Sequence, residues 1–143
     1  MPVSQDFENR IVLVVRGDIE GWQVANTVAH ISAYIGNRLT ERFGAGEFFV
    51  TKDDVNHPRN SQYPIIIKRA RSNEQLQNLM QKVRDADVLY HGFMREMIDY
   101  NGDNDVQAHL GEKNDAEVEY LGIGVFGQND AVNALTKKFG LWQ

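Results

Sequence analysis

Hydrophobic patterning is strongest near the start of the chain, where a continuous apolar run is followed by residues with helical spacing. Residues 11–15 are apolar at every position, so both faces of this segment must be covered, and we predict a central strand. From Trp22 onward, apolar residues recur three, four and seven positions apart, which predicts a long helix. Its main apolar stripe consists of Val24, Val28, Ile31 and Ile35. A thinner stripe of Ala25, Ala29 and Ala33 lies beside it, and we expect it to allow close packing against the sheet or another helix.

The remaining face of this helix carries polar side chains of a particular kind. They are Gln23, Asn26, Thr27, His30 and Tyr34. A solvated helix face usually carries Lys and Glu, whereas amides, a hydroxyl, an imidazole and a phenol are groups that recognise ligands. An ordinary solvated face is the alternative interpretation. We expect this face, which begins near Asp18, Trp22 and the first-turn amides of the helix, to line a cleft.

The same patterns predict the remaining elements. Strands are predicted over residues 47–51, 63–68, 87–93 and 119–126. Helices are predicted over residues 37–43, from a Ser72 cap to Asp85, and after a cap at Asn129 or Asp130. Residues 52–62 are predicted to be a loop, and residues 94–118 to be polar, with a brief helical patch before a solvated turn at residues 101–105.

Together these elements predict a single domain over residues 1–143 of the α/β class. The strand, helix and strand between residues 63 and 93 have the lengths of a parallel crossover connection. We expect a three-layer sandwich, in which a small mixed, mostly parallel sheet of four to five strands has helices on both faces. The chain contains no cysteine, its first residues do not resemble a leader, and no segment is long enough to cross a bilayer. We therefore expect a cytoplasmic protein.

Net charge narrows the possible partners. The formal charge of −5 disfavours nonspecific nucleic-acid binding, because neutralising phosphates supplies most of that affinity. Four basic residues lie close together in sequence, at Arg59, Lys68, Arg69 and Arg71. They alternate with apolar residues instead of forming a continuous basic stripe, so we interpret them as ordinary surface charge. We expect neither a nucleic-acid nor a membrane partner.

Three motifs are better explained by packing or solvation than by chemistry. Residues 122–127, Gly-Ile-Gly-Val-Phe-Gly, have the spacing of the dinucleotide-binding fingerprint, but the chain ends before the acidic residue of a second strand. We predict that these glycines let a strand pass closely under a helix. The acidic residues at 99–105 lack the glycine and glutamate of a calcium-binding loop. No two histidines have the spacing of a preformed metal pair, although His30, His57 and His91 are able to converge in space, and we expect no metal and no cofactor.

Several segments resemble the type 2 peptidyl-tRNA hydrolases. Residues 10–19, Arg-Ile-Val-Leu-Val-Val-Arg-Gly-Asp-Ile, and the helix residues Val24, Ala25, Val28, Ala29 and His30 are similar to the opening of that family. Residues 120–124, then Val132, Leu135, Thr136 and the closing residues 139–142, Phe-Gly-Leu-Trp, are similar to its end. The middle, residues 57–58 and 63–67, looks closer to a bacterial branch of the same fold, the domain-of-unknown-function 2000 family.

The resemblance implies the hydrolase-like fold, but the motif residues that carry the activity differ. The hydrolases have a glycine–lysine pair at the start of the first helix and a glutamine one turn later, and the matching positions here are Trp22, Gln23 and Thr27. They also have an aspartate just beyond the third strand, where residues 91–95 read His-Gly-Phe-Met-Arg. Only His30 on the helix face matches directly. Because the lysine would stabilise an oxyanion and the aspartate would bind water, we expect no peptidyl-tRNA hydrolase activity.

The sequence leaves three functions open. The one we favour is a module that binds a small polar or anionic ligand. Its candidate binding residues are Asp18, Trp22, Gln23, Asn26, Thr27, His30, His57, Arg59 and Arg95. The second is a hydrolase with rearranged acid–base groups, for which His30, His91 and Glu96 are the candidate catalytic residues. The third is residual peptidyl-tRNA hydrolysis, and apolar residues near Phe48 and Trp142 further predict a homodimer.

Overall fold

The strand predicted first lies at the centre of the sheet. The computed structural model describes residues 5–44 and 48–143, and its first strand, β1, spans Asn9–Arg16 with residues 11–15 buried. The other strands are β2 (Phe48–Val50), β3 (Asn56–Pro58), β4 (Ile65–Ala70), β5 (Leu89–Met94), β6 (Tyr120–Gln128) and β7 (Gly140–Leu141). The helices are α1 (Gly21–Leu39), α2 (Asn73–Asp85), α3 (Arg95–Asp99), α4 (Asp103–Leu110) and α5 (Asn129–Thr136). Short 3-10 turns cover Thr40–Arg42 and Asp115–Glu117.

The main sheet is mixed, and the prediction of a mostly parallel sheet is wrong. Its strand order is β5-β6-β1-β4-β7, and within it only β1 and β4 pair in parallel among the described residues. The strands β1, β4 and β5 do run in one direction, as the crossover through α2 requires. The late strand β6 inserts antiparallel between β1 and β5, and β7 pairs antiparallel with β4, so the parallel strands are mostly separated.

Helices cover both faces of the sheet, as predicted. Alternate residues of β1 point to opposite sides, so Ile11 and Leu13 pack with Ile31 and Ile35 of α1, whereas Val12 packs with residues of α2 and α5. This arrangement gives two apolar layers on either side of one sheet. It confirms an α/β domain with helices on both faces.

The glycine-rich run in β6 serves packing, as predicted. A Cβ atom at Gly122 would lie 2.7 Å from Cγ2 of Thr27, and one at Gly124 would lie 2.2 Å from Cγ2 of Ile31. Side chains at these two positions would therefore push α1 away from the sheet.

Helix α1 turns a different side to the sheet than the pattern suggested. The buried positions are Thr27, Ile31, Ile35 and Leu39, each one turn apart. The alanine stripe at residues 25, 29 and 33 is exposed, so the prediction that it packs closely against a neighbour is wrong. The helix also continues to Leu39 and ends in a 3-10 turn, where a separate helix was predicted over residues 37–43. Residues 45–47, which include the first residue of the strand predicted over residues 47–51, lie outside the described residues.

Three local features differ from the prediction. The loop predicted over residues 52–62 contains β3, which pairs with β2 in a two-stranded ribbon outside the main sheet. The segment predicted as a solvated turn contains the start of α4. Helix α5 is capped by Gln128, whose Oε1 accepts hydrogen bonds from the backbone amides of Asp130 and Ala131 at 3.0 and 3.3 Å.

In the part of the chain described here, no helix has the length and apolar character needed to cross a bilayer.

Candidate functional site

The clearest candidate site is a cleft between α1, the end of β5 and the segment that carries α3 and α4. It encloses about 380 Å³ and is called the histidine cleft below. The residues that line it are His30, Tyr34, His91, Phe93, Met97, Tyr100, Asn101, Asp103 and Val106. This volume lies at the lower end of the range found for small-molecule sites.

Two ring stacks form the wall of the histidine cleft. His30 stacks on Phe93 with ring centroids 5.0 Å apart, and Tyr34 stacks on His91 with centroids 4.2 Å apart. His30 and Tyr34 are one turn apart on α1, so they project from the same side of that helix. His91 and Phe93 are two residues apart on β5, so they share one face of the strand. The one-turn spacing on α1 and the two-residue spacing on β5 are similar in length, so the two ring stacks form side by side.

The electrostatics of the cleft favour polar ligands without negative charge. Asp103 is its only carboxylate, and no Lys or Arg lies among the residues that line it. Burial lowers the pKa of His91, and repulsion between the two imidazoles of His91 and His30 lowers it further. His91 is therefore an uncharged imidazole at neutral pH, able to accept one hydrogen bond and donate another.

A second groove of about 490 Å³ adjoins the cleft along the outer edge of β5. It shares Tyr34, His91 and Met97 with the cleft and reaches Tyr90 and Arg84 on the other side of the strand. The guanidinium of Arg84 forms an ion pair with Asp115 at 2.5 Å, so its charge is largely compensated. The groove therefore extends the histidine cleft around the edge of the sheet without adding a free cation.

Glu96 does not join the two histidines in the cleft. It is only 3% exposed, and its Oε1 accepts a hydrogen bond from Nζ of Lys113 at 2.5 Å. That hydrogen bond raises the pKa of Lys113. The pair lines a separate cavity of about 250 Å³, together with Asp99 and His109. The predicted combination of His30, His91 and Glu96 is therefore not assembled around one space.

Asp18 and Arg95 belong to a network of ion pairs beyond the end of β1. Arg16 pairs with Asp18 at 2.8 Å and with Glu119 at 2.9 Å, and Arg95 also pairs with Glu119 at 3.0 Å. The hydrogen bond from Arg16 lowers the pKa of Asp18. Burial alone would raise the pKa of Glu119, but the two arginines outweigh it and the pKa is lowered. These charges neutralise one another, which leaves little charge to attract a ligand.

The first turns of α1 use their polar groups internally. Nε1 of Trp22 donates to the Glu20 carboxylate at 2.7 Å, and Oε1 of Gln23 accepts from the Glu20 backbone amide at 3.3 Å. Thr27 is fully buried, and its hydroxyl donates to the backbone oxygen of Gln23 at 2.7 Å. Thr27 was a candidate binding residue, and the structure places it in the core under β6. Asn26 is half-buried and is not among the residues that line the cleft.

His57 and Arg59 lie with the β2–β3 ribbon and not in the cleft. His57 pairs opposite Phe49 in the ribbon, and the guanidinium of Arg59 lies 5.4 Å from the centroid of the Phe49 ring. His30 and His91 do converge, but His57 is absent from the residues that line their cleft. Among the described residues, no group of three or more His, Asp or Glu side chains is placed to hold a metal ion.

Sequence patterning missed the far wall of the cleft. Tyr100, Asn101, Asp103 and Val106 come from residues 94–118, which were predicted to be polar, with a brief helical patch and a solvated turn at residues 101–105. Helix α4 has a weak apolar stripe because it packs with few residues, so periodicity gives little signal. Two acidic residues in its first turn, Asp103 and Asp105, were the available sign of a helix start.

Comparison with known proteins identifies a family but no activity. A solved structure of a protein of unknown function from Agrobacterium tumefaciens is similar to this chain, with a TM-score of 0.82 and 20% identity, covering 96% of this chain and 100% of that one. At this identity the similarity shows a shared fold alone. No curated protein sequence is similar enough to count as a match. The profile of the family described as "Protein of unknown function (DUF2000)" matches residues 9–143, so the chain belongs to the DUF2000 family.

Proposed function

We propose that the protein is a binding module for a small, polar, ring-containing ligand in the histidine cleft. The observation that carries this proposal is the pair of ring stacks, His30 on Phe93 and Tyr34 on His91, beside a space of about 380 Å³. Stacked rings offer flat surfaces to a planar ligand, and the imidazole and phenol edges offer hydrogen bonds that fix its orientation.

The ligand of this cleft is uncharged or cationic. The described residues that line the cleft include one carboxylate, Asp103, and neither Lys nor Arg, so no cationic side chain in its wall compensates an anion on entry. Asp103 lies at the start of α4 and is exposed, so it favours a cationic group at the rim. The sequence led us to expect a polar or an anionic ligand, and the charges of the cleft favour the polar one.

The proposal includes a peptidyl-tRNA hydrolase type 2-like fold without that activity. The positions of the hydrolase glycine–lysine pair are taken by Trp22 and Gln23, whose side chains are hydrogen-bonded to Glu20, the N-cap residue of α1. The nearby arginines, Arg16 and Arg95, are paired with carboxylates, so they are poor phosphate ligands. The net charge of −5 also opposes binding of tRNA.

Acid–base catalysis by His91 is the second candidate function. Its lowered pKa keeps the imidazole uncharged at neutral pH, as a general base requires. His30 lies beside it, and repulsion between the two imidazoles contributes to the lowered pKa of His91. A hydrolase with these two histidines would work without Glu96, which is held by Lys113 in the neighbouring cavity.

The experiment is a fragment screen by ¹H–¹⁵N NMR, with matched uncharged, cationic and anionic ring compounds. We expect uncharged and cationic fragments to shift the amides of His30, Tyr34, His91 and Asn101, and anionic ones to shift them less. The His30→Ala variant should weaken binding about tenfold, because one stack and one hydrogen-bonding edge are lost. Asn37→Ala, an exposed substitution elsewhere on α1, is the matched control. Shifts that map elsewhere, or equal losses in both variants, would contradict the proposal.

We also propose that the protein is cytoplasmic and forms homodimers through the β2–β3 ribbon. Phe48, Phe49, Val50 and Val55 are all about half exposed on this ribbon, at 49–58%. A two-stranded ribbon is marginally stable alone, so burial of these side chains against a second copy would stabilise it. Trp142, the other apolar residue expected at the interface, is partly buried against the α1 face of the core, which leaves the ribbon as the main candidate surface.

A further inference from the structure

A cavity at the opposite edge of the sheet has a charge character unlike the rest of the molecule. It encloses about 390 Å³ between the end of β4, the first turn of α2 and β7. It is called the basic cavity below, and its lining residues are Arg69, Arg71, Gln75, Lys138, Phe139, Gly140 and Leu141. Three of these residues are cationic and none is acidic, in a chain whose net charge is −5.

None of the three cations forms an ion pair with a carboxylate in the described parts of the chain. The guanidinium of Arg69 lies 5.0 Å from the centroid of the Trp142 ring and donates a long hydrogen bond of 3.4 Å to the backbone oxygen of Gly17. The ammonium group of Lys138 lies 5.3 Å from the centroid of the Phe139 ring. Aromatic contacts hold these side chains in place and leave their charges uncompensated.

The topology brings the cations together from distant parts of the sequence. Arg69 and Arg71 are two residues apart along β4 and its extension, so they project to the same side. Gly140 of β7 pairs opposite Arg69, and this pairing carries Lys138 to the cavity. Phe139 is buried and anchors the segment between α5 and β7. Sequence reasoning considered only neighbouring basic residues and therefore missed Lys138.

The other polar group of the cavity also presents a donor. Oε1 of Gln75 accepts a hydrogen bond of 2.8 Å from the backbone amide of Arg71, so the side-chain NH₂ group remains available to donate. Gln75 lies in the first turn of α2, where the helix dipole favours negative charge. The polar side chains that line the cavity therefore offer donors and positive charge to a ligand.

We propose that the basic cavity is a second binding site, for a small phosphorylated molecule that carries at least two negative charges. Three like charges gathered in one place repel each other, and a multivalent anion would compensate all of them at once. Arginine forks and a lysine are the groups that proteins use to bind phosphate oxygens. This site is independent of the histidine cleft, because β7 and β5 lie at opposite edges of the sheet.

Calorimetric titration with inorganic pyrophosphate at low ionic strength tests this proposal. We expect one molecule to bind per chain, and Arg71→Gln and Lys138→Gln each to weaken binding about tenfold. Lys137→Gln is the matched control, because it removes the same charge from the neighbouring exposed residue, which is not among those that line the cavity. The three substituted residues, Arg71, Lys137 and Lys138, are exposed, so the variants should keep the melting temperature of the wild type. Circular dichroism would check this.

The proposal is overturned if pyrophosphate does not bind, or if Lys137→Gln weakens binding as much as Lys138→Gln, which would indicate diffuse attraction. A single-stranded RNA oligonucleotide is titrated in parallel. If it binds more tightly than pyrophosphate and depends on Arg71 and Lys138, the ligand is a nucleic acid and the small-molecule assignment is wrong. Amide shifts caused by pyrophosphate should appear near Gln75 and leave His30 and His91 unchanged, so the result is separate from that of the fragment screen.

Discussion

His91 and Tyr34 lie face to face, with ring centroids 4.2 Å apart and ring planes 19° from parallel. The contact joins the edge strand β5 to helix α1 and half-buries the imidazole. Burial disfavours the charged imidazolium, and the neighbouring His30 adds repulsion, so the pKa of His91 is lowered. This single contact therefore links the stability of the β5 edge to pH.

The first prediction concerns stability at mildly acidic pH. Because the pKa of His91 is lower in the folded than in the unfolded chain, the unfolded chain binds more protons once the pH falls below about 6.5. The contribution of His91 to the free energy of unfolding should therefore fall with decreasing pH from that point and level off below its folded-state pKa. Urea denaturation at a series of pH values measures the free energy of unfolding. In His91→Gln this fall should be smaller than in His57→Gln, and equal pH profiles for the two variants would contradict the prediction.

The second prediction concerns the glycines of β6 that pack under α1. Gly124→Ala places a Cβ 2.2 Å from Cγ2 of Ile31 and 2.9 Å from Cδ1 of Ile35, so the helix must move away from β6. We expect a loss of about 1–3 kcal/mol in the free energy of unfolding, measured by urea denaturation. Gly21→Ala is the control, because no atom lies within 4 Å of its new Cβ, and it should be neutral or slightly stabilising. A Gly124→Ala variant as stable as the control would show that α1 is loosely packed.

The third prediction concerns the ion pair between the buried Glu96 and Lys113. Lys113→Met leaves a carboxylate that is only 3% exposed without its cation. We expect a destabilisation of about 1–3 kcal/mol at pH 7, discounted for the partly exposed lysine. The double variant Glu96→Gln/Lys113→Met should recover part of the loss. If the double variant recovers nothing, or if Lys113→Met is as stable as the wild type, the pairing contributes little to stability.

The fourth prediction concerns self-association. Sedimentation velocity should detect a dimer at tens of micromolar chain concentration, and Phe48→Ser should shift the population to monomer by raising the dissociation constant about tenfold or more. Phe7→Ser is the matched control, since Phe7 is 74% exposed, precedes β1 and is not part of the ribbon. A wild-type monomer throughout, or the same shift in both variants, would rule out the ribbon as the interface.

The hydrophobic pattern predicted the central strand, the long first helix and helices on both faces, because these elements carry long runs of apolar residues with regular spacing. It also predicted the Ser72 cap, whose hydroxyl accepts from the Gln75 amide. It could not assign the strand order, because the pairing of β6 with β5 and β1 depends on contacts between distant residues. The cleft was half predicted. His30 and Tyr34 line the cleft, whereas Thr27 faces the core. The polar and the buried faces of α1 adjoin each other around the helix axis, so the sequence pattern did not show on which side of their boundary Thr27 lies.

The position of β6 also determines when the domain is able to form during synthesis. This strand supplies the partner of β5 and the glycines beneath α1, yet it follows almost all other elements in the chain. A nascent polypeptide that has emerged only as far as α4 therefore has an unpaired β5 and an uncovered apolar side of α1. The sheet is completed only after β6 has left the ribosome, and until then these surfaces are open to chaperones or to aggregation.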